Sequence, residues 1–277
     1  MASLRRHERS CPPDTPNASR QLLSSISYGK RKSGGSSLSL GGAVTDRVSF
    51  GGHFTLKKES SMAWDPALES AFHPQSVAIV GASSTPPPND RQWGGGYMFI
   101  RHFQELGFPG RIYPVNPKAS TIRGLQAYPS LTAIPEPVDL VIVAVPARVA
   151  PQVLEDCIKA NAKNVHMFTS GYSETGEEEG RQRERELVQI ARAGGLRIIG
   201  PNCMGLHVPA ARISTMDGTP TPPGVVGMVS QSGGHASGFI RYTTEQGIGV
   251  SKVISFGNGL ILESTDFLEY LAKDPET

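Results

Sequence analysis

The chain has 277 residues, 38% of them hydrophobic, with 31 glycines and a formal net charge of +2. That length admits one large domain or two ordinary ones with a real core, and the near-neutral charge leaves no electrostatic footprint for nucleic acid. The three cysteines, Cys11, Cys157 and Cys203, are too scattered for a disulfide framework or a metal site, and no apolar run reaches the ~18 residues of a membrane-spanning helix.

Residues 1–61 are rich in Ser, Gly and Arg/Lys, as in Gly29 to Gly42, and show no apolar periodicity. Such a segment cannot bury enough surface to offset its ordering entropy, and we read it as a disordered extension. The same composition fits an organelle transit peptide. The plainer reading is an unstructured extension, or an upstream start with Met62 as the true first residue. With no apolar stretch to direct secretion, the expected location is cytoplasmic, or mitochondrial if 1–61 are a transit peptide.

Asp65 to Phe72 predicts a short amphipathic lead-in helix. The stretch Ser76 to Ser84 organises the chain after it. Val77-Ala78-Ile79-Val80 reads as a strand buried on both faces, and Gly81, Ala82 and Ser83 form the first strand-to-helix turn of a nucleotide-binding α/β domain, where bare backbone lets a phosphate approach. A proline-rich loop, Pro86 to Gly96, leads to a helix over Tyr97 to Leu106, with Tyr97, Ile100, Phe103 and Leu106 on one face. Further strands are expected at Arg111 to Val115, Asp139 to Val145, Asn164 to Phe168 and Leu196 to Ile199. Helices are expected at Ala150 to Ala160 and Glu177 to Ala193. This alternation implies a Rossmann-like, doubly wound parallel sheet over 62–208, with its ligand beyond the carboxyl ends of the strands. A second unit over 209–277, a partial flavodoxin-like α/β domain, opens with a strand at Val225 to Val229. The turn Ser230-Gln231-Ser232-Gly233 then starts a helix, an anion site by geometry or an ordinary cap. A strand at Ser251 to Ser255 comes next, and its flank is expected to be an open edge.

The end of the second strand bears on ligand choice. An NAD site wants an acidic residue after that strand to meet the ribose hydroxyls, whereas this one ends in Asn116-Pro117-Lys118. Lys118 favours a phosphate near the ribose, as in coenzyme A or NADP; the plainer reading is a solvated loop lysine.

The runs Val77 to Ser83, Tyr113 to Lys118, Ala144-Val145-Pro146, Phe168 to Tyr172 and Gly200-Pro201-Asn202-Cys203 together resemble the CoA-binding domain of NDP-forming acyl-CoA synthetases, including ADP-forming acetyl-CoA synthetases and, more distantly, the succinyl-CoA synthetase α subunit. The resemblance runs from about Leu68 to the last residue. It implies that Gly81-Ala82-Ser83 hold CoA phosphates, that Asn116-Pro117-Lys118 place a lysine against one of them, and that Val145-Pro146 pack on the adenine or pantetheine. Ser170-Gly171 would line the arm, and Pro201-Asn202 would shape the thiol end. Strand termination alone also explains Pro146 and Pro201. In the family, the Ser230 to Gly233 turn begins a helix aimed at a phosphorylated histidine.

That histidine would lie beyond Thr277, so no catalytic residue is assigned in this chain. The matching position of a family glutamate is Gly238, and His235 reads as an exposed helix histidine rather than a surrogate acceptor. The resemblance implies an acid–CoA ligase that makes acyl-CoA from a carboxylic acid, CoA and ATP through acyl phosphate and phosphohistidine. This chain would be a fragment inactive alone. Its implied partners are CoA, a small carboxylic acid, and an ATP-grasp domain or subunit carrying ATP/ADP and Mg, in an oligomer when complete; no nucleic acid, membrane or metal site in this chain is expected. Alternatives are a CoA-binding regulatory or acyltransferase-fusion module, and an NADP-binding oxidoreductase domain.

Overall fold

The structure is a computed structural model that describes residues 66–86, 95–216 and 220–277. The extension over 1–61, Met62 and most of the loop between Pro86 and Gly96 lie outside those residues. Among the described residues, no helix is long and apolar enough to cross a membrane.

In chain order the elements are α1 (Pro66–Phe72), β1 (Ser76–Val80), α2 (Gly96–Glu105), β2 (Arg111–Val115), β3 (Thr121–Ile122), β4 (Leu125–Gln126) and β5 (Leu140–Val143). After them come α3 (Ala150–Lys159), β6 (Asn164–Met167), α4 (Glu178–Gly194), β7 (Arg197–Ile199), β8 (Gly205–Val208), β9 (Ile213–Ser214), β10 (Pro223–Ser230), α5 (Gly233–Glu245), β11 (Val250–Ser255) and α6 (Ser264–Lys273). The first sheet has the order β2-β1-β5-β6-β7 and is parallel throughout. The direction of winding reverses between β1 and β5, and a doubly wound sheet opens its ligand crevice at that point.

The continuous apolar runs of the strands have a direct packing reason. Val77 and Ile79 of β1, with Leu140 and Ile142 of β5, face a core shared with α1, α2 and α6. Ala78 and Val80, with Val141 and Val143, face a second core filled by Val153, Leu154 and Cys157 of α3 and Leu187 and Ala191 of α4. Both faces are covered, as parallel sheets require. The buried face of α2 is Phe99, Ile100 and Phe103, while Tyr97 and Leu106 are only half-buried; the expected stripe is therefore rotated. Tyr97 instead takes a hydrogen bond from Arg123 Nη1 at 3.0 Å.

The second sheet has the order β10-β11-β8-β9, with β10 and β11 parallel and the other pairs antiparallel. The open edge expected beside Ser251 to Ser255 is corrected here: β11 is flanked on both sides, because Gly205 to Val208, a short run not read as a strand, pairs with it. The end strands of this sheet are β9 and β10, and Val225 of β10 is 73% exposed. The segment after β11 also reaches the first sheet. Leu260 N donates to Gly200 O at 2.9 Å and Leu262 N to Ile198 O at 3.2 Å, so the outer edge of β7 is covered by backbone of the second unit.

A buried charge joins the two ends of the described chain. Lys252 on β11 is fully buried, and its Nζ donates to Asp274 at 2.8 Å and Glu276 at 2.6 Å. His73, just after α1, lies 3.4 Å from Glu276 and 3.5 Å from Glu69, and Tyr270 donates to Glu69 while stacking on Phe72. Burial works to raise the Asp274 carboxyl, but hydrogen bonds from Lys252, Thr277 and the Glu276 amide outweigh it and hold that group below the usual carboxylate value. Lys252→Met leaves Asp274 buried without its ammonium, and should destabilise the fold by about 3–5 kcal/mol at neutral pH. A carboxyl with a lowered folded pKa contributes stability above its ordinary pKa and loses it as pH falls through the folded one. The gap between wild type and variant should therefore shrink under acid. Urea unfolding at neutral pH and near pH ~3 checks this; a gap of the same size at both would remove the ion pair as its cause.

Candidate functional site

The residues singled out from the sequence converge at the carboxyl ends of the first sheet. β1 ends in Gly81, which adopts φ +90°; a Cβ there would lie 2.8 Å from the carbonyl carbon of Ala144. Only glycine accepts both that dihedral and that approach. Ala82 is buried, and Ser83 turns its hydroxyl onto Thr85 O at 3.1 Å. Asn116, at the end of β2, ties the neighbouring loops together. Its Nδ2 donates to Ala82 O at 2.6 Å and its Oδ1 accepts from Lys118 N at 2.7 Å. Lys118 is exposed beside this turn.

Two cavities flank the exit of β5. One, of 300 Å³, has Gly81, Asn116, Pro117, Val145 and Pro146 in its wall, together with Ser130, Leu131 and, from the α3 side, Val149, Gln152, Val153 and Asp156. The other, of 460 Å³, is lined by Val145, Pro146, Phe168, Thr169, Ser170, Asn202, Cys203, Met204 and Gly233. Val145 and Pro146 are common to both, so the two cavities adjoin at these residues, forming a two-part groove along the ends of β1, β5 and β6 whose larger part reaches the first residue of α5. There Ser232 caps the helix, its Oγ accepting from His235 N at 3.3 Å, and Ser230 donates to Ser232 O at 3.0 Å. Ser230, Gln231, Ser232 and His235 do not line the cavities; only Gly233 of that turn does. His235 is exposed.

Gly171 and Pro201 sit behind the wall. Gly171 N donates to Glu174 Oε1 at 2.6 Å, and Asn258 N donates to the Pro201 carbonyl at 3.0 Å. Asn258, from the loop after β11, also donates through Nδ2 to Glu174 Oε2 at 2.7 Å and Glu184 Oε2 at 2.9 Å, while Asn202 donates to its Oδ1 at 3.4 Å. Burial would raise the Glu174 carboxyl, yet the Asn258 side chain and the Gly171 and Tyr172 amides hold it below its ordinary value. The loop of the second sheet thus braces Asn202 and the turn after Ser170.

The groove is built for holding rather than for proton transfer. No carboxylate or imidazole is among the residues lining its larger cavity. Burial pushes the Cys203 thiol far above its usual value, so it stays protonated and is a poor nucleophile. His166, behind Cys203, is lowered to about 4 by burial, against the smaller opposing effect of the Cys203 carbonyl, and is neutral near pH 7. Sequence reasoning passed over the α3 side of the smaller cavity. Its signal was present: Val149, Gln152, Val153 and Asp156 take the i, i+3, i+4, i+7 spacing of one helical face.

The family model described as a CoA binding domain matches residues 75–209, and that of the succinyl-CoA ligase like flavodoxin domain matches residues 223–277. The chain is 38% identical over 216 residues to the alpha subunit of acetate–CoA ligase [ADP-forming] I of Pyrococcus furiosus, an alignment covering 76% of this chain and 45% of that one. It is 38% identical over 212 residues to acetate–CoA ligase [ADP-forming] I of Archaeoglobus fulgidus, covering 76% of this chain and 30% of that one. Among solved structures, the apo form of dinucleotide forming acetyl-coenzyme A synthetase 1 of Ca. Korarchaeum cryptofilum superposes with a TM-score of 0.69 at 35% identity, over 76% of this chain and 44% of that one. The chain spans less than half the length of each of these relatives.

Asn116→Ala removes both bonds that join the turns after β1 and β2, and should lower stability by about 1–2 kcal/mol in urea unfolding. Asn116→Asp keeps an acceptor for Lys118 N but faces the Ala82 carbonyl with a second acceptor, so it should fare no better than alanine. Wild-type stability in the aspartate variant would show that the Ala82 contact contributes nothing.

Proposed function

We propose that this chain, which belongs to the ADP-forming acyl-CoA synthetase family, supplies the coenzyme A site of an acid–CoA ligase. The observation that carries this reading is the pair of cavities that meet at Val145 and Pro146, one bounded by the bare Gly81 turn and the other by Gly233, the first residue of α5. A long ligand with phosphates at one end and a reactive group at the other suits such a path. Gly81, Ala82 and Ser83 would face the phosphates, with Lys118 as a charged partner and Asn116-Pro117 holding its loop. The adenine would enter the smaller cavity over Val145-Pro146. The pantetheine arm would pass Ser170-Gly171 to the thiol end at Pro201-Asn202.

The reaction is set by where the groove stops. In an acid–CoA ligase of this kind the thiol attacks an acyl phosphate; a C–S bond forms, the S–H and acyl C–O bonds break, and the leaving phosphate takes up the proton. Ser230, Gln231, Ser232 and Gly233, with the positive end of α5, form a place for that phosphate. This chain's part is to bind, orient and exclude water; the larger cavity, where the thiol would end, offers no carboxylate or imidazole as a base. ATP or ADP, with Mg, would be held by an ATP-grasp domain or subunit, and the Pyrococcus relative is itself named as an alpha subunit. The acid is a small carboxylic acid. Functionally, we divide the chain into an extension over 1–61, a CoA-binding unit over 62–208 and the phosphate-binding part of a ligase unit over 209–277; the two matching family models support this division.

Calorimetry on the full chain should show CoA binding more tightly than NADP or NAD; NADP binding without CoA binding would overturn the reading in favour of an oxidoreductase domain. If Lys118 is a charge-assisted phosphate partner, Lys118→Ala should weaken CoA by about 10- to 150-fold. The loss should be smaller for 3′-dephospho-CoA if the 3′-phosphate is the one contacted. Equal affinity of wild type and variant for CoA removes Lys118 from the site.

A further inference from the structure

We infer that Gln152 and Asp156 on α3 read the C6 edge of the ligand's base and select adenine over a purine carrying a carbonyl at that position. This rests on the coenzyme A reading and adds a specificity element to it.

The smaller cavity lies at the carboxyl ends of β1, β2 and β5, where the winding of the sheet reverses, and its walls include Val115, Leu131, Val145 and Val153. Apolar walls hold a planar ring without distinguishing one purine from another, so selection falls to the polar side chains. Four line the cavity: Asn116, Ser130, Gln152 and Asp156. Asn116 is committed at both ends of its amide to Ala82 and Lys118. The Ser130 hydroxyl lies 2.9 Å from that of Thr132.

Gln152 and Asp156 remain, and they are one helical turn apart on the same face. The Gln152 amide meets Asp156 Oδ1 at 3.2 Å. A carboxylate only accepts hydrogen bonds, so the end of the amide turned to it is the NH2 group, and Oε1 is left for the ligand. Lys159 Nζ lies 3.4 Å from the same Oδ1. Both neighbours thus use one carboxylate oxygen, and Oδ2 is left as an acceptor. The polar part of the wall therefore offers acceptors, and a base facing it must donate. The exocyclic amine of adenine has two N–H groups to give at C6; a carbonyl there sets a third acceptor against two and leaves the ring's N1–H, one position away, as the nearest donor. A site built to accept a hydrogen bond rejects an analogue without the donor, because its own polar groups are left unpaired.

The test compares CoA with its 6-oxo analogue, in which hypoxanthine replaces adenine, by calorimetry on the full chain. Wild type should prefer CoA by about 10-fold or more. Asp156→Asn, which can present an amide N–H to a carbonyl, should narrow or invert the preference, and Gln152→Leu should narrow it. Both positions are at least partly exposed on a surface helix, and thermal melts establish that the variants are folded. Failure of wild type to bind CoA would overturn the coenzyme reading itself. CoA binding with equal affinity for the 6-oxo analogue, or a preference that both variants keep, would overturn the base-reading inference alone.

Discussion

The close passage of the β1 exit over β5 is the constraint on which the site depends. Gly81 lies so near the Ala144 carbonyl that no side chain fits, and on its other flank Gly96, the first residue of α2, would press a Cβ to 2.7 Å from Ala82 Cα. Two backbone segments and a helix terminus meet there with nothing between them. The result is a patch of bare peptide groups beside the point where the sheet changes direction, and polarity of this kind suits an anion. Val145 and Pro146 then continue directly from β5, which is why the two cavities share them.

The other end of the groove owes its shape to the second sheet. Gly257 packs against the carbonyls of Pro201 and Asn202, where a Cβ would lie 2.5 Å from Asn202 O. Asn258 gathers Glu174, Glu184 and Asn202 around one amide. Together with the backbone bonds from Leu260 and Leu262 to β7, these contacts make the wall of the larger cavity a joint product of both sheets. The core says the same: Ile254, Phe267 and Leu271 share a cluster with Phe72, Ile79 and Phe99.

Much of this was legible in the sequence because strands buried on both faces leave long apolar runs, and their ends are marked by Gly81, Asn116, Pro146, Gly171 and Asn202. The hidden features share a physical character. β8 and β9 are short, and β8 contains His207, so neither carries a periodic signal; β8 pairs with β11, more than forty residues away, and β9 joins the sheet only through β8. Lys252 inside a strand pattern reads as a solvent-facing residue, and only the return of Asp274 and Glu276 in three dimensions makes its burial tolerable. Gln152 and Asp156 read as the wet side of a surface helix, since a helical face that borders a cavity and one that borders water have the same composition.

The cluster around Lys252 brings α1 and the residues after α6 side by side, through Tyr270 on Glu69 and Glu276 on His73. Lys252 is thus the shared counter-ion of two acidic side chains, and one of them, Glu276, also stands against His73. A change of charge at the single position Lys252 would therefore be felt in α1, which lies far from it along the chain.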